Sequence, residues 1–173
     1  MDAAVGFQSH QPHATVRLHN NAALPKTMND LVAALKLLPH GAEFRFIERL
    51  TQLNPGQSGE GEFTVRNDEP FLRGHFPGEP IFPGVLLLEA AAQLAGVVAQ
   101  SDPKILPLKN LKLAALRNVK ILGTAKPGEI IRLKTHITGR LGDLVQAQST
   151  ASVNGQIVLQ GELVLSGEAS IAD

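Results

Sequence analysis

Apolar and polar residues alternate one by one through the C-terminal part of the chain. Ile131, Leu133, Thr135 and Ile137 are interleaved with Arg132, Lys134, His136 and Thr138, the period of two that gives a strand one inner and one wet face. Gly139 to Asp143 predicts a turn, and Val145, Ala147, Ser149, Ala151 and Val153 form the inner face of the next strand. Asn154-Gly155 marks a tight hairpin, and Ile157 to Leu165 returns. Earlier strands are expected over Glu43–Leu53, over Gly61–Arg66 with Phe63 and Val65 on one side, and over Asn110–Leu122, where the apolar spacing is irregular. Leu31, Val32, Ala34, Leu35 and Leu38 make a helical stripe that Asn29 or Asp30 can cap and Pro39 stops.

One stretch departs from this pattern. Pro83 suits the first turn of a helix, and GVLLLEAAAQLAGVVA follows it with helix formers and one Gly, Gly96. Between Val85 and Ala99 only Glu89 and Gln93 are polar, and they lie one turn apart on one face. A helix apolar all round either spans a membrane or is enclosed by other elements. Ile81 to Ala99 approaches the ~20 residues of a span, but a span would put a carboxylate near mid-bilayer, and no basic flank supports it. The expected architecture is α+β, a long central helix wrapped by a curved antiparallel sheet.

The chain has 173 residues, 43% hydrophobic and 18% charged, with a formal net charge of zero. That is one domain with a substantial core, without the basic stripe and stacking aromatics of a nucleic-acid binder. Cysteine is absent, which excludes disulfides and thiolate chemistry and accords with a cytoplasmic location. Residues 1–28 read as a polar N-terminal extension without the apolar core of a secretory signal, and residues 29–173 as the domain. Within the extension, Thr15 to Leu18 could add an edge strand. His10, His13 and His19 lack companion ligands, so no metal site is expected.

The candidate chemistry converges on FLRGHFPGEPIFPGVLLLEAAAQ. His75 sits among Gly74, Pro77, Gly78, Pro80 and Pro83, a loop with little freedom to lose on folding. An acid enclosed by apolar neighbours favours its neutral form, which makes Glu89 a candidate proton donor; His75 is the natural base. A lone His or Glu is more often structural, and only the pair together points to chemistry. Gly84 adds a helix-start N–H that can bind a carbonyl oxygen gaining charge. Gln93 either orients Glu89 or merely satisfies it. Base, acid and oxyanion donor point to proton abstraction beside a carbonyl with loss of a leaving group.

GHFPGEPIFPGVLLLEAAAQ resembles the central motif of the FabZ-type (3R)-hydroxyacyl-acyl carrier protein dehydratases of the hot-dog fold. LPHGAEFRFIERL at Leu38–Leu50 and NVKILGTAKPGE at Asn118–Glu129 extend the resemblance over Leu31–Gly167. It implies reversible dehydration of a β-hydroxyacyl thioester on the phosphopantetheine arm of acyl carrier protein, with no metal or redox cofactor. His75 would take the α-proton, Glu89 would protonate the departing hydroxyl, and the Gly84 N–H would polarise the thioester. It implies a homodimer with the site at its interface, trimers of dimers being common in the family. His40, in the Leu-Pro-His segment, is read as structural. Six basic residues and no acid lie between Pro103 and Lys126; Lys109, Lys112 and Lys120 among them are candidate docking residues for the acidic carrier. Glu89 in place of Asp favours the FabZ-like group over the isomerising FabA-like one. Gly41-Ala42 stand where Arg-Tyr is usual, Ile121 and Thr124 replace Phe and Pro, and no tyrosine exists to act as a gate; these changes bear on the acyl tunnel. The alternatives are a hot-dog acyl thioesterase and a non-catalytic acyl-carrier-binding subunit.

Overall fold

The computed structural model describes residues 27–169. The N-terminal histidines and the edge strand expected at Thr15–Leu18 lie outside them. Helix α1, Met28–Leu35, leads through a short 3-10 turn to strands β1 (Arg49–Asn54) and β2 (Ser58–Thr64). A second 3-10 turn, Pro70–Arg73, precedes the central helix α2, Gly84–Gln100. Strands β3 (Lys109–Ile121), β4 (Ile130–Leu141), β5 (Leu144–Val153) and β6 (Gln156–Glu168) complete one antiparallel sheet of order β1-β2-β4-β5-β6-β3. This is the helix wrapped by a curved sheet that the hot-dog resemblance implies.

The inner faces follow the alternation. Ile131, Leu133 and Thr135 of β4 and Val145, Ala147, Ser149, Ala151 and Val153 of β5 are buried, and α2 packs against β2, β4, β5 and β6. Leu87, Ala90, Leu94, Ala95 and Val98 are fully enclosed on that helix. Small residues let the sheet approach closely: a Cβ on Gly59 would stand 2.7 Å from Val98 Cγ2. Among the described residues no helix is long and apolar enough to cross a membrane. Asn154 and Gly155, both at positive φ (51° and 80°), turn the β5–β6 hairpin as the Asn-Gly pair predicts.

Several boundaries differ from expectation, each for a local reason. Thr27 caps α1, not Asn29 or Asp30: its hydroxyl accepts the Asp30 N–H and the Asp30 carboxylate accepts the Thr27 N–H, a reciprocal capping box. The strand expected over Glu43–Leu53 begins only at Arg49, because the Phe44 carbonyl and Phe46 N–H are claimed by a side chain of α2 rather than by a neighbouring strand. Strand β4 absorbs Gly139 in an irregularity of register and turns only at Gly142, whose φ is 59°. Strand β3 carries three such irregularities against β6, with Asn110 and Asn118 at φ 51° and 50°. These bulges explain its irregular apolar spacing.

Candidate active site

Helix α2 builds one wall of the site. Glu89, Gln93, Gly96 and Gln100 fall along one face and line a cavity of about 420 Å³, opposite Leu38, His40, Leu111 and Lys112. The cavity is polar at the Glu89 end and apolar beyond it. At its far end the Gln100 amide donates to the Leu108 carbonyl (2.7 Å) and accepts the Leu108 N–H (3.0 Å). The bare Gly96 gives the cavity width; a Cβ there would meet only Leu111 Cδ2, at 3.7 Å.

Gln93 is almost completely buried, at 2% exposure, and every hydrogen of its amide is used. Its Oε1 accepts the Phe46 N–H (2.9 Å), and its Nε2 donates to the Phe44 carbonyl (2.9 Å) and to Glu89 Oε1 (3.0 Å). The Phe46 N–H can only donate, which fixes the amide's orientation and turns its NH₂ toward Glu89. Gln93 therefore both satisfies and orients the acid. Glu89 differs from the isolated, buried carboxylate expected: its side chain is 25% exposed, and His40 Nε2 stands 3.2 Å from the same Oε1. The Leu-Pro-His segment folds over α2 and brings in His40, which no spacing in the sequence links to Glu89. Glu89 Oε2 makes no hydrogen bond among the described residues.

His75 lies in the loop between the second 3-10 turn and α2, and that loop is pinned by its backbone. The His75 N–H donates to the Leu72 carbonyl (3.2 Å) and its own carbonyl accepts the Ile81 N–H (2.9 Å). The ring, stacked on Phe76, brings Nδ1 within 3.0 Å of the Ile81 carbonyl. A carbonyl can only accept, so Nδ1 carries the hydrogen and Nε2 of the neutral ring keeps its lone pair. His75 is not among the residues lining the Glu89 cavity; a single chain does not bring the two together there. Gly84 opens α2, and its N–H has no hydrogen-bond partner among the described residues. Ile121 covers this position, its Cδ1 and Cγ2 each 3.1 Å from where a Gly84 Cβ would stand. Of the basic residues singled out, Lys112 reaches the cavity, while Lys109 and Lys120 are exposed on β3 without lining it. No three metal-ligating side chains converge among the described residues.

A buried acid underlies the His75 loop. Glu69, 6% exposed, precedes the 3-10 turn, and its carbonyl accepts the Leu72 N–H (3.0 Å). Its Oε1 is 2.9 Å from Arg66 Nη2 in a geometry that makes no hydrogen bond. Burial pushes the carboxyl above its ordinary value of 4.5; Arg66 pulls it down, and Asp68 and Glu48 add to the rise.

Residues 38–162 match the FabA-like domain family. The chain is 34% identical over 137 residues to the 3-hydroxyacyl-[acyl-carrier-protein] dehydratase FabZ of Caldicellulosiruptor saccharolyticus, covering 79% of this chain and 97% of that one. It is 35% identical over 150 residues to the FabZ of Geobacter metallireducens, covering 86% and 97%. Among solved structures, the dehydratase heterocomplex ApeI:P of Xenorhabdus doucetiae superposes with a TM-score of 0.67 at 19% identity, covering 79% of this chain and 91% of that one. Zebrafish thioesterase superfamily member 2 does so with 0.61 at 15%, covering 81% and 97%. Both structures share the fold.

The raised Glu69 carboxyl fixes a pH dependence. The native state holds this proton more tightly than the unfolded chain, so the stability it contributes is complete below about pH 4.5 and is lost as pH rises through the native value. Glu69→Gln keeps the neutral form at every pH. Melting temperatures measured from pH 4 to 8 are expected to rise for the variant relative to the wild type across that window. A pH-independent difference would remove this role from Glu69.

Proposed function

The chain belongs to the FabA-like family, and we propose that within it the protein is a hydro-lyase of the FabZ kind, reversibly dehydrating (3R)-3-hydroxyacyl-[acyl carrier protein] to the trans-2-enoyl thioester in fatty acid biosynthesis. The observation that carries the assignment of roles is the complementary state of the two groups: His75 has its Nδ1 against the Ile81 carbonyl and Nε2 unclaimed, while Glu89 has its Oε1 against Gln93 and Oε2 unclaimed. Each group thus keeps one atom free for a proton transfer, which we assign as acceptance at His75 and donation at Glu89.

In this reading the thioester carbonyl accepts the Gly84 N–H, which stabilises the enolate charge that builds when His75 Nε2 takes the α-proton. Protonated Glu89 delivers its proton from Oε2 to the β-hydroxyl, which leaves as water while the α,β double bond forms. One proton moves onto His75 and one leaves Glu89, so hydration of the product runs the same steps backwards. The substrate arrives on the phosphopantetheine of the carrier, and the steps call on no metal or redox group. We place the reaction in the cytoplasm.

The separation of His75 from the Glu89 cavity supports an assembly in which each site is shared by two copies. Strand β3 is one of the two sheet edges and exposes Leu113, Leu116 and Ile121; Val85 on α2 and Phe76 beside His75 are also exposed. An open edge carrying apolar side chains invites a second strand. A homodimer joined there would set the His75 of one copy against the Glu89 of the other, and trimers of dimers are a further step of the same kind.

Three measurements test this reading. Purified protein should convert a (3R)-hydroxyacyl thioester to the enoyl product without releasing free thiol, and His75→Ala and Glu89→Gln should each lower kcat by about 10²–10⁴-fold; free thiol without enoyl product would replace the dehydratase by a thioesterase. Charge reversal at Lys109 and Lys120, which lie outside the cavity, should raise KM for carrier-bound substrate, an effect weakened by salt, and spare a small thioester analogue; equal effects on both would end the docking role. Gly96→Leu, which fills the apolar part of the cavity, should lower kcat/KM for long acyl chains by about 10-fold or more relative to a four-carbon substrate. A uniform loss across chain lengths would move the acyl chain out of this cavity.

A further inference from the structure

The dehydration steps leave one neighbour of Glu89 without a task. His40 Nε2 stands 3.2 Å from Glu89 Oε1, an ion-pair contact off the line of a hydrogen bond, and a bare ring nitrogen there would set one lone pair against another, so Nε2 carries hydrogen. The opposite nitrogen, Nδ1, is buried without a hydrogen-bond partner. A second proton there would be a buried donor left unmade, costlier than a lone pair in the same place. The Nε2–H side of the ring is thus the one turned toward the acid.

That orientation is held from several sides. The Phe44 ring stacks on the imidazole at 6.2 Å between centroids and 29° between planes. The His40 carbonyl accepts a hydrogen bond from Arg45 Nη2 (2.9 Å). The Phe44 carbonyl accepts the Gln93 Nε2 hydrogen that does not go to Glu89. The polar side chains that line the cavity with Glu89 are His40 from the loop after α1, Gln93 and Gln100 from α2, and Asn110 and Lys112 from β3. Of these, Gln93 and His40 converge on one oxygen.

We infer that His40 is a positioning residue for Glu89: with Gln93 it occupies Oε1 and leaves Oε2 as the oxygen that carries the transferred proton toward the substrate. The inference rests on Glu89 being the acid of the dehydration. It differs from a purely structural histidine because the contact it makes is with the reacting group. What matters is an N–H at this point in space, since a ring of the same shape without it leaves Oε1 half-claimed and both oxygens able to hold the proton.

The test compares His40→Phe and His40→Leu, which lack the donor, with His40→Gln, whose amide can place an N–H near the position of Nε2. Each is assayed with a (3R)-hydroxyacyl thioester beside the wild type, with melting temperature recorded. The donor-free variants are expected to lose about 10–100-fold in kcat with KM within about threefold, and His40→Gln to recover most of the loss. Wild-type kcat in a folded donor-free variant overturns the inference, as does a folded His40→Gln no better than His40→Phe. Failure of both donor-free variants to fold assigns His40 to the scaffold and overturns it too. A wild type that makes no enoyl product strikes the functional reading itself, whereas turnover unaffected by His40 strikes this inference alone.

Discussion

The buried amide of Gln93 is the constraint on which the site depends. A buried amide left half-satisfied costs more than its hydrogen bonds return, so the side chain must find an acceptor and a donor in the Phe44–Phe46 segment, and it does. That demand pulls the segment out of the sheet and lays it across α2. Phe46 then packs edge-on against Phe63 (5.6 Å), Phe82 (5.7 Å) and Phe71 (6.1 Å), and Phe82 and Phe71 flank the loop that carries His75. Glu89 and His75 are thus set in one frame of aromatic rings and backbone hydrogen bonds, although they do not meet in a single cavity.

The central helix, the β4–β5–β6 meander and the inward residues of β4 and β5 could be read from the chain, because a period of two over so many residues has one solution and a mid-helix carboxylate without basic flanks leaves an apolar helix enclosed rather than membrane-spanning. The stretch from Gly74 to Gln93 was legible as a family motif. The partners of Glu89 were not. His40 and Glu89 are joined only when the Leu-Pro-His segment folds over the helix, and local pattern carries no information on which loop crosses which face. Glu43–Leu53 misled for the same reason: its alternation is strand-like, but its backbone partner is a side chain more than forty residues away.

Strand β3 shows another limit. Its apolar residues gave no clean face because bulges at Asn110 and Asn118 turn the pleat over within one strand, and its place beyond β6 at the sheet edge follows from the crossover after α2, not from its own residues. The same irregularity sends Lys112 toward the cavity while Lys109 and Lys120 stay on the open surface. A charge run in sequence is therefore split into separate surfaces in space.

The two ends of the Glu89 cavity differ in how freely they can change. At the Glu89 end the buried Gln93 amide spends both of its polar atoms on Phe44, Phe46 and Glu89, so a substitution there breaks several obligations at once. From Gly96 onward toward Leu111 the wall is built of apolar groups that owe nothing to any hydrogen bond until the Gln100–Leu108 clasp closes it. Mutational drift can reshape that stretch one methyl group at a time while the reactive end stays unchanged. Lineages that share this fold are free to diverge in the molecules they accept long before they diverge in what they do to them.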